Sequence, residues 1–142
     1  VAVQRPELFK AMLCAVPVID MLRYPLYGDG KTWVAEYGSP QDEPMFRALL
    51  AYSPYHNVKK VPMGYPAFLV LSADADDRVH PMHAWKMTAA LQAAQTTDKP
   101  ILMRVEKHAG HGGADSVKSR VEQSADMLAF AFRMLDHQPK LP

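Results

Sequence analysis

Three carboxylates in four positions, Asp74, Asp76 and Asp77, follow the apolar run Phe68 to Leu71 and are followed at once by Arg78. Downstream, a second apolar run, Ile101 to Val105, ends in Glu106-Lys107-His108-Ala109-Gly110-His111-Gly112-Gly113. Carboxylates and imidazoles delivered to turns at strand ends suit acid–base chemistry, because an imidazole moves a proton near neutral pH and a fixed carboxylate sets its tautomer. Two plainer readings use the same residues. An Asp after a strand can simply form the turn or cap the next helix, and spacing alone does not choose among the three acids. His80-x-x-His83 and His108-x-x-His111 could each offer two imidazoles to a metal, but zinc sites draw a third ligand and set paired histidines on a defined helix face or strand. Neither pair sits in such a signature, and no metal is assigned. His108 is read as a turn residue ahead of the glycines.

The elements that must carry these residues follow from periodicity. Ala11 to Ile19 is a continuous apolar run expected to form a strand buried on both faces, ended by Asp20. Between Met21 and Ser39, Pro25, Gly28, Gly30 and Gly38 break any pattern while Tyr24, Tyr27, Trp33 and Tyr37 add aromatic surface, so the stretch is either a binding loop or poorly ordered. Glu43 to Tyr52 reads as a helix with Phe46, Leu49 and Leu50 on one face, and the chain to Gly64 as a connector. Pro81 to Gln95 is Ala-rich, with Met82, Trp85, Ala89 and Ala93 at helical spacing. The last helix, Ser116 to about Leu135, places Val117, Val121, Ala125, Leu128, Phe132 and Leu135 on one stripe, with Asp115 or Ser116 as its cap. Strands alternating with helices predict a parallel sheet covered on both faces. Three strands are few for that architecture, so residues 1–142 are expected to be the C-terminal part of a larger α/β domain. The opening Val1-Ala2-Val3-Gln4, without an initiator Met, fits a piece of something longer.

At 142 residues the chain has the size of one domain, and 16 Lys and Arg against 15 Asp and Glu leave a net charge of +1. With no long run of either sign, nucleic acid and membrane are not expected partners. No apolar stretch approaches the ~18 residues of a spanning helix, and no signal-peptide pattern opens the chain. Cys14 is the one cysteine and has apolar neighbours, which predicts a packed thiol and suits a reducing compartment. A cytoplasmic location is expected, with the periplasm left open. The nine methionines read as gap-filling core residues. The glycines after His108 lack the Lys and Ser or Thr of a phosphate loop, and no cofactor is implied.

Acid before histidine, each on a loop after a strand, is the order of the two downstream partners in an α/β-hydrolase, whose nucleophilic serine comes first. No Gly-x-Ser-x-Gly occurs here; Gly38-Ser39 runs into Pro40 within a loop. Four blocks make the resemblance more specific: Asp74-Ala75-Asp76-Asp77-Arg78-Val79, His108-Ala109-Gly110-His111-Gly112-Gly113-Ala114, Lys31-Thr32-Trp33-Val34-Ala35-Glu36-Tyr37-Gly38 and Tyr52-Ser53-Pro54-Tyr55-His56-Asn57-Val58. Together they resemble the prolyl oligopeptidase family over nearly the whole chain. The opening Gln4-Arg5-Pro6-Glu7-Leu8-Phe9 resembles the segment after that family's nucleophile helix, which implies a serine about ten residues before Val1.

The resemblance implies Asp76 as the triad acid and His111 as the general base of a serine peptidase that cleaves short peptides on the carboxyl side of proline. It further implies that Arg78 hydrogen-bonds a substrate carbonyl, that Trp33 stacks on the substrate proline, and that Tyr37, Val79 and Val18 complete an apolar pocket. The expected partners are proline-containing peptides and the N-terminal part of the same protein. Taken alone, the chain is expected to be inactive and to self-associate through its open sheet edge. Rival readings are a dipeptidyl, acylaminoacyl or basic-residue peptidase of the same superfamily, a related esterase, and a non-catalytic interaction module. Trp33 speaks against specificity for basic residues. Without the family pattern, Arg78 reads as an ion-pair partner of its acidic neighbours and Trp33 as a core aromatic.

Overall fold

The computed structural model describes residues 1–113 and 116–137. Three strands, β1 (Ala11–Ala15), β2 (Ala67–Ala73) and β3 (Ile101–Glu106), form one parallel sheet in the order β1-β2-β3. Every residue of β2 is buried, as a central strand with both faces covered requires. Side chains alternate across it. Phe68 and Val70 face α3 (Met82–Ala94), where Ala84, Met87, Leu91 and Ala94 complete the main core. Ala67, Leu69 and Leu71 face the opposite way, toward Phe130, Met127 and Met134 of α4 (Val117–Met134). Two short helices, α1 (Val34–Tyr37) and α2 (Glu43–Tyr52), lie in the long segment between β1 and β2. The fold is therefore α/β, with parallel strands and helices on both faces.

Several expectations are corrected here. β1 stops at Ala15 rather than Ile19. Val16 takes φ +41°, donates the last ladder bond to the Leu71 carbonyl at 2.9 Å, and is followed by Pro17, which has no N–H to extend the ladder. Nor is β1 buried on both faces: Leu13 is exposed and its neighbours are half-buried, because β1 is an edge of this sheet. On α3 the buried face is Ala84, Met87, Leu91 and Ala94, while Trp85, Ala89 and Ala93 point outward. An Ala-rich helix satisfies an apolar spacing on several faces, and the large Trp85 misleads. On α4 the expected stripe is largely exposed at Val117, Val121, Ala125, Leu128 and Leu135. The helix carries two apolar stripes, and the sheet takes the one with Met127, Phe130 and Met134. On α2, Leu49 alone is fully buried; Phe46 and Leu50 are exposed.

Other expectations hold. Helix α2 has the bounds read from the sequence. Ser116 caps α4, its side chain accepting from the Ser119 N–H at 3.0 Å; the alternative cap, Asp115, lies outside the described residues, as does Ala114. Cys14 is half-buried against the main core, and burial pushes its thiol pKa up. The aromatic stretch is ordered, winding through 3₁₀ turns at Tyr24–Leu26 and Gly28–Trp33 into α1.

Candidate active site

The ends of β2 and β3 are neighbours, and the turns that follow them are joined by main-chain bonds. The Asp74 N–H donates to the Glu106 carbonyl at 3.0 Å and the Ala75 N–H to the Ala109 carbonyl at 3.2 Å. The Asp74 carboxylate accepts from the His108 N–H at 2.7 Å, where the chain turns through φ +57°. Asp74 is thus a structural bracket, and His108 is the turn residue it holds.

Asp76 is the buried acid of the three. Its Oδ1 accepts from the N–H groups of Arg78 at 3.1 Å and Val79 at 2.9 Å, a local turn that leads into α3. Its Oδ2 lies 3.0 Å from Nδ1 of His111. A carboxylate only accepts, so this bond places a proton on Nδ1 and leaves Nε2 as the basic nitrogen of the neutral ring. The His111 side chain remains 35% exposed while that of Asp76 is fully covered, so a base accessible to a reactant stands on a shielded acid. Asp77 and Arg78 are exposed, and among the described residues the Arg78 guanidinium has no acidic partner within ion-pair distance.

Trp33, Tyr37 and Val18 are brought together, each half-buried against Met21, Tyr24 and Leu49. The rings of Tyr24 and Tyr37 meet edge-on at 5.7 Å, and the Tyr24 hydroxyl donates to the Gly38 carbonyl at 2.8 Å. Val79 is buried on the acid turn, outside that cluster. The aromatic loop nevertheless touches the acid turn. The Asp29 N–H donates to the Arg78 carbonyl at 3.1 Å, and Gly28, at φ +54°, approaches so closely that a Cβ there would lie 2.7 Å from the Asp77 carbonyl oxygen.

Among the described residues no group of three or more His, Cys, Asp or Glu is placed to hold a metal ion. His80 accepts from the Met82 N–H at 3.1 Å, and His83 accepts from the backbone of Ile19 and Asp20. No described helix is long and apolar enough to cross a membrane.

The sequence does not signal the polar cluster at Asp20, where the residue shows only as the end of an apolar run. The residue is wholly buried and bonded to Lys86 and Arg23. Burial alone would raise its pKa, but those cations hold it below the usual carboxylate range. Burial pushes the neighbouring His83 down to about 4. An acid directly after an apolar run was the available signal; nothing pointed to its partners.

A parallel sheet whose adjacent strand ends pair a buried carboxylate with an imidazole, acid first in the chain, has the layout of the downstream part of an α/β-hydrolase fold. The model of the prolyl oligopeptidase family matches residues 1–138, and the chain belongs to that family. It is 44% identical over 128 residues to a prolyl endopeptidase of Elizabethkingia meningoseptica, a match covering 89% of this chain and 18% of that protein. Prolyl oligopeptidase A of Amanita bisporigera is 41% identical over 128 residues, covering 89% of this chain and 17% of that protein. Among solved structures, one from a structural and mechanistic study of two prolyl endopeptidases superposes with a TM-score of 0.92 at 50% identity, over 96% of this chain and 20% of that one. Oligopeptidase B from Leishmania major gives a TM-score of 0.89 at 28% identity, over 95% of this chain and 19% of its own. The chain thus spans about a fifth of the length of these relatives.

Proposed function

We propose that this chain carries the acid and the base of a Ser-Asp-His triad that cleaves short peptides after proline, with the serine on a preceding segment of a longer protein. The observation that carries the reading is the buried Asp76 carboxylate 3.0 Å from Nδ1 of His111, with Nε2 left free to act. In this mechanism Nε2 takes the serine proton as the oxygen attacks the peptide carbonyl, then gives that proton to the leaving amine. Water repeats the cycle on the acyl-enzyme. Asp76 holds the reactive tautomer and stabilises the imidazolium. Solved structures of prolyl oligopeptidase B from Galerina marginata, which match this chain, include variants with alanine in place of a histidine, a serine or an aspartate.

Proline specificity is assigned to Trp33, whose flat indole offers apolar area to a pyrrolidine ring at small entropic cost, with Tyr37, Val18 and Val79 as walls. Arg78 is assigned to a substrate carbonyl; its exposed guanidinium, without an acidic partner among the described residues, supports that role over an ion pair. The full-length protein should hydrolyse a chromogenic peptide with proline before the scissile bond, and Trp33→Ala should lower the proline-over-alanine ratio of kcat/KM by about tenfold, the worth of one well-packed ring contact. Cleavage of simple esters alone would replace the peptidase by an esterase. An unchanged ratio in Trp33→Ala would remove the ring from the pocket.

A further inference from the structure

The aromatic loop rests on a polar cluster that the acid and base do not use. The wholly buried carboxylate of Asp20 accepts from the N–H groups of Leu22 at 3.2 Å and Arg23 at 3.1 Å, and its other oxygen is bonded by the Lys86 ammonium and, at 3.3 Å, by the Arg23 guanidinium. One turn earlier on α3, Nδ1 of His83 accepts from the N–H groups of Ile19 at 3.4 Å and Asp20 at 3.2 Å. Ser53, at the end of α2, accepts from the Met21 N–H at 3.0 Å and donates to the Ile19 carbonyl at 3.1 Å. Lys86 itself lies 4.2 Å over the Tyr55 ring.

A carboxylate withdrawn from water persists only where its lone pairs are met by donors. Here they come from two elements far apart in the chain, so the charge acts as a geometric constraint between them. One is the segment that carries Val18 and then Tyr24, the ring on which Tyr37 packs. The other is α3, which grows directly out of the turn bearing Asp76, Arg78 and Val79. No other charged pair in the described structure joins these two elements.

We infer that Asp20, with Lys86, is the positioning residue of the specificity pocket: it sets the loop of Val18, Trp33 and Tyr37 in register with the acid turn, so that ring and guanidinium meet the same peptide. The inference rests on the proposed function for the identity of the pocket. The Asp29-to-Arg78 bond is a second tie between the same two parts and would not by itself fix the segment before Tyr24.

The test uses the full-length enzyme, with active sites counted by a fluorophosphonate. Asp20→Asn keeps the acceptor for the Leu22 and Arg23 N–H groups but loses the charge; Lys86→Met leaves the buried carboxylate short of its main partner. Both should raise KM for the preferred peptide, by about threefold and about tenfold or more respectively, since stranding a buried charge costs more than deleting it. The value of kcat per titrated site and its dependence on pH should stay unchanged. The double variant should behave like Asp20→Asn alone, the non-additivity expected of a directly bonded pair. Should Lys86→Met fail to fold, Lys86→Arg, which keeps the charge in another geometry, must still raise KM. Unchanged KM per titrated site, or a fall in kcat at constant KM, overturns the inference. Proline preference is read on the wild type first: its absence refutes the proposed specificity, while the KM of these variants on whichever peptide the enzyme prefers still decides the role of Asp20.

Discussion

Asp76 and His111 are held mainly by main-chain groups, with the Asp74 side chain as an added brace. Two backbone bonds and the Asp74 bracket join their turns, and two further N–H groups fix the Asp76 carboxylate. Val18, Trp33 and Tyr37 are held by side chains instead, through an apolar cluster around Tyr24 and a buried charge at Asp20. Backbone bonds between adjacent strands come with the sheet and survive most substitutions. A side-chain anchor can be altered one residue at a time. On the proposed function, the constant chemistry falls to the first construction and the adjustable specificity to the second.

The largest blow to the backbone-held half is His111→Ala, expected to cost on the order of 10⁶ in kcat in the full-length enzyme, whereas Asp76→Asn should cost about 10⁴ by upsetting the tautomer. Single-turnover kinetics on the proline peptide measures both, and a loss below tenfold in Asp76→Asn would move the acid role elsewhere.

A smaller effect distinguishes the side-chain-held half by its response to acid. The folded-state pKa of His83 is depressed to about 4, chiefly by burial, with Lys86 and His80 also lowering it and Asp20 opposing them. A depressed value means that the unfolded chain binds the proton first. Its contribution to stability is therefore complete above about pH 6.5 and is lost as pH falls toward 4, amounting to about 3 kcal/mol. His56, also lowered mainly by burial, acts in the same direction. Denaturant unfolding across that range should show the decline, and His83→Asn, which keeps an acceptor without a titrating ring, should flatten it. An equal slope in both proteins would remove His83 from the account. The smallest effect belongs to Asp77, exposed beside the proposed acid Asp76: Asp77→Asn should change kcat/KM by less than about twofold, as for an exposed charge.

The same contrast explains what could be read from the sequence. The alternation of strands and helices and the two strand-end turns were legible because short apolar runs, acids and glycines are local signals. The choice of Asp76 was not, since it depends on which carboxylate the turn aims at His111; Asp74 is spent on the His108 N–H and Asp77 faces solvent. Family resemblance, rather than spacing, singled out Asp76. The Asp20–Lys86 anchor was illegible because its partners are distant in sequence and belong to no motif. Helix faces were misread where composition left several faces equally apolar, as on α3, or two stripes in competition, as on α4.

The methionines that seal the two faces of the sheet differ in cover one by one: Met87 of α3 is buried, while Met12 and Met103 on the same face and Met127 and Met134 of α4 on the other are half-buried. Peroxide converts an accessible thioether to a polar sulfoxide, which no longer fits an apolar seam. Oxidative damage should therefore enter both seams of the sheet, at Met12 and Met103 on one face and at Met127 and Met134 on the other, before it reaches Met87.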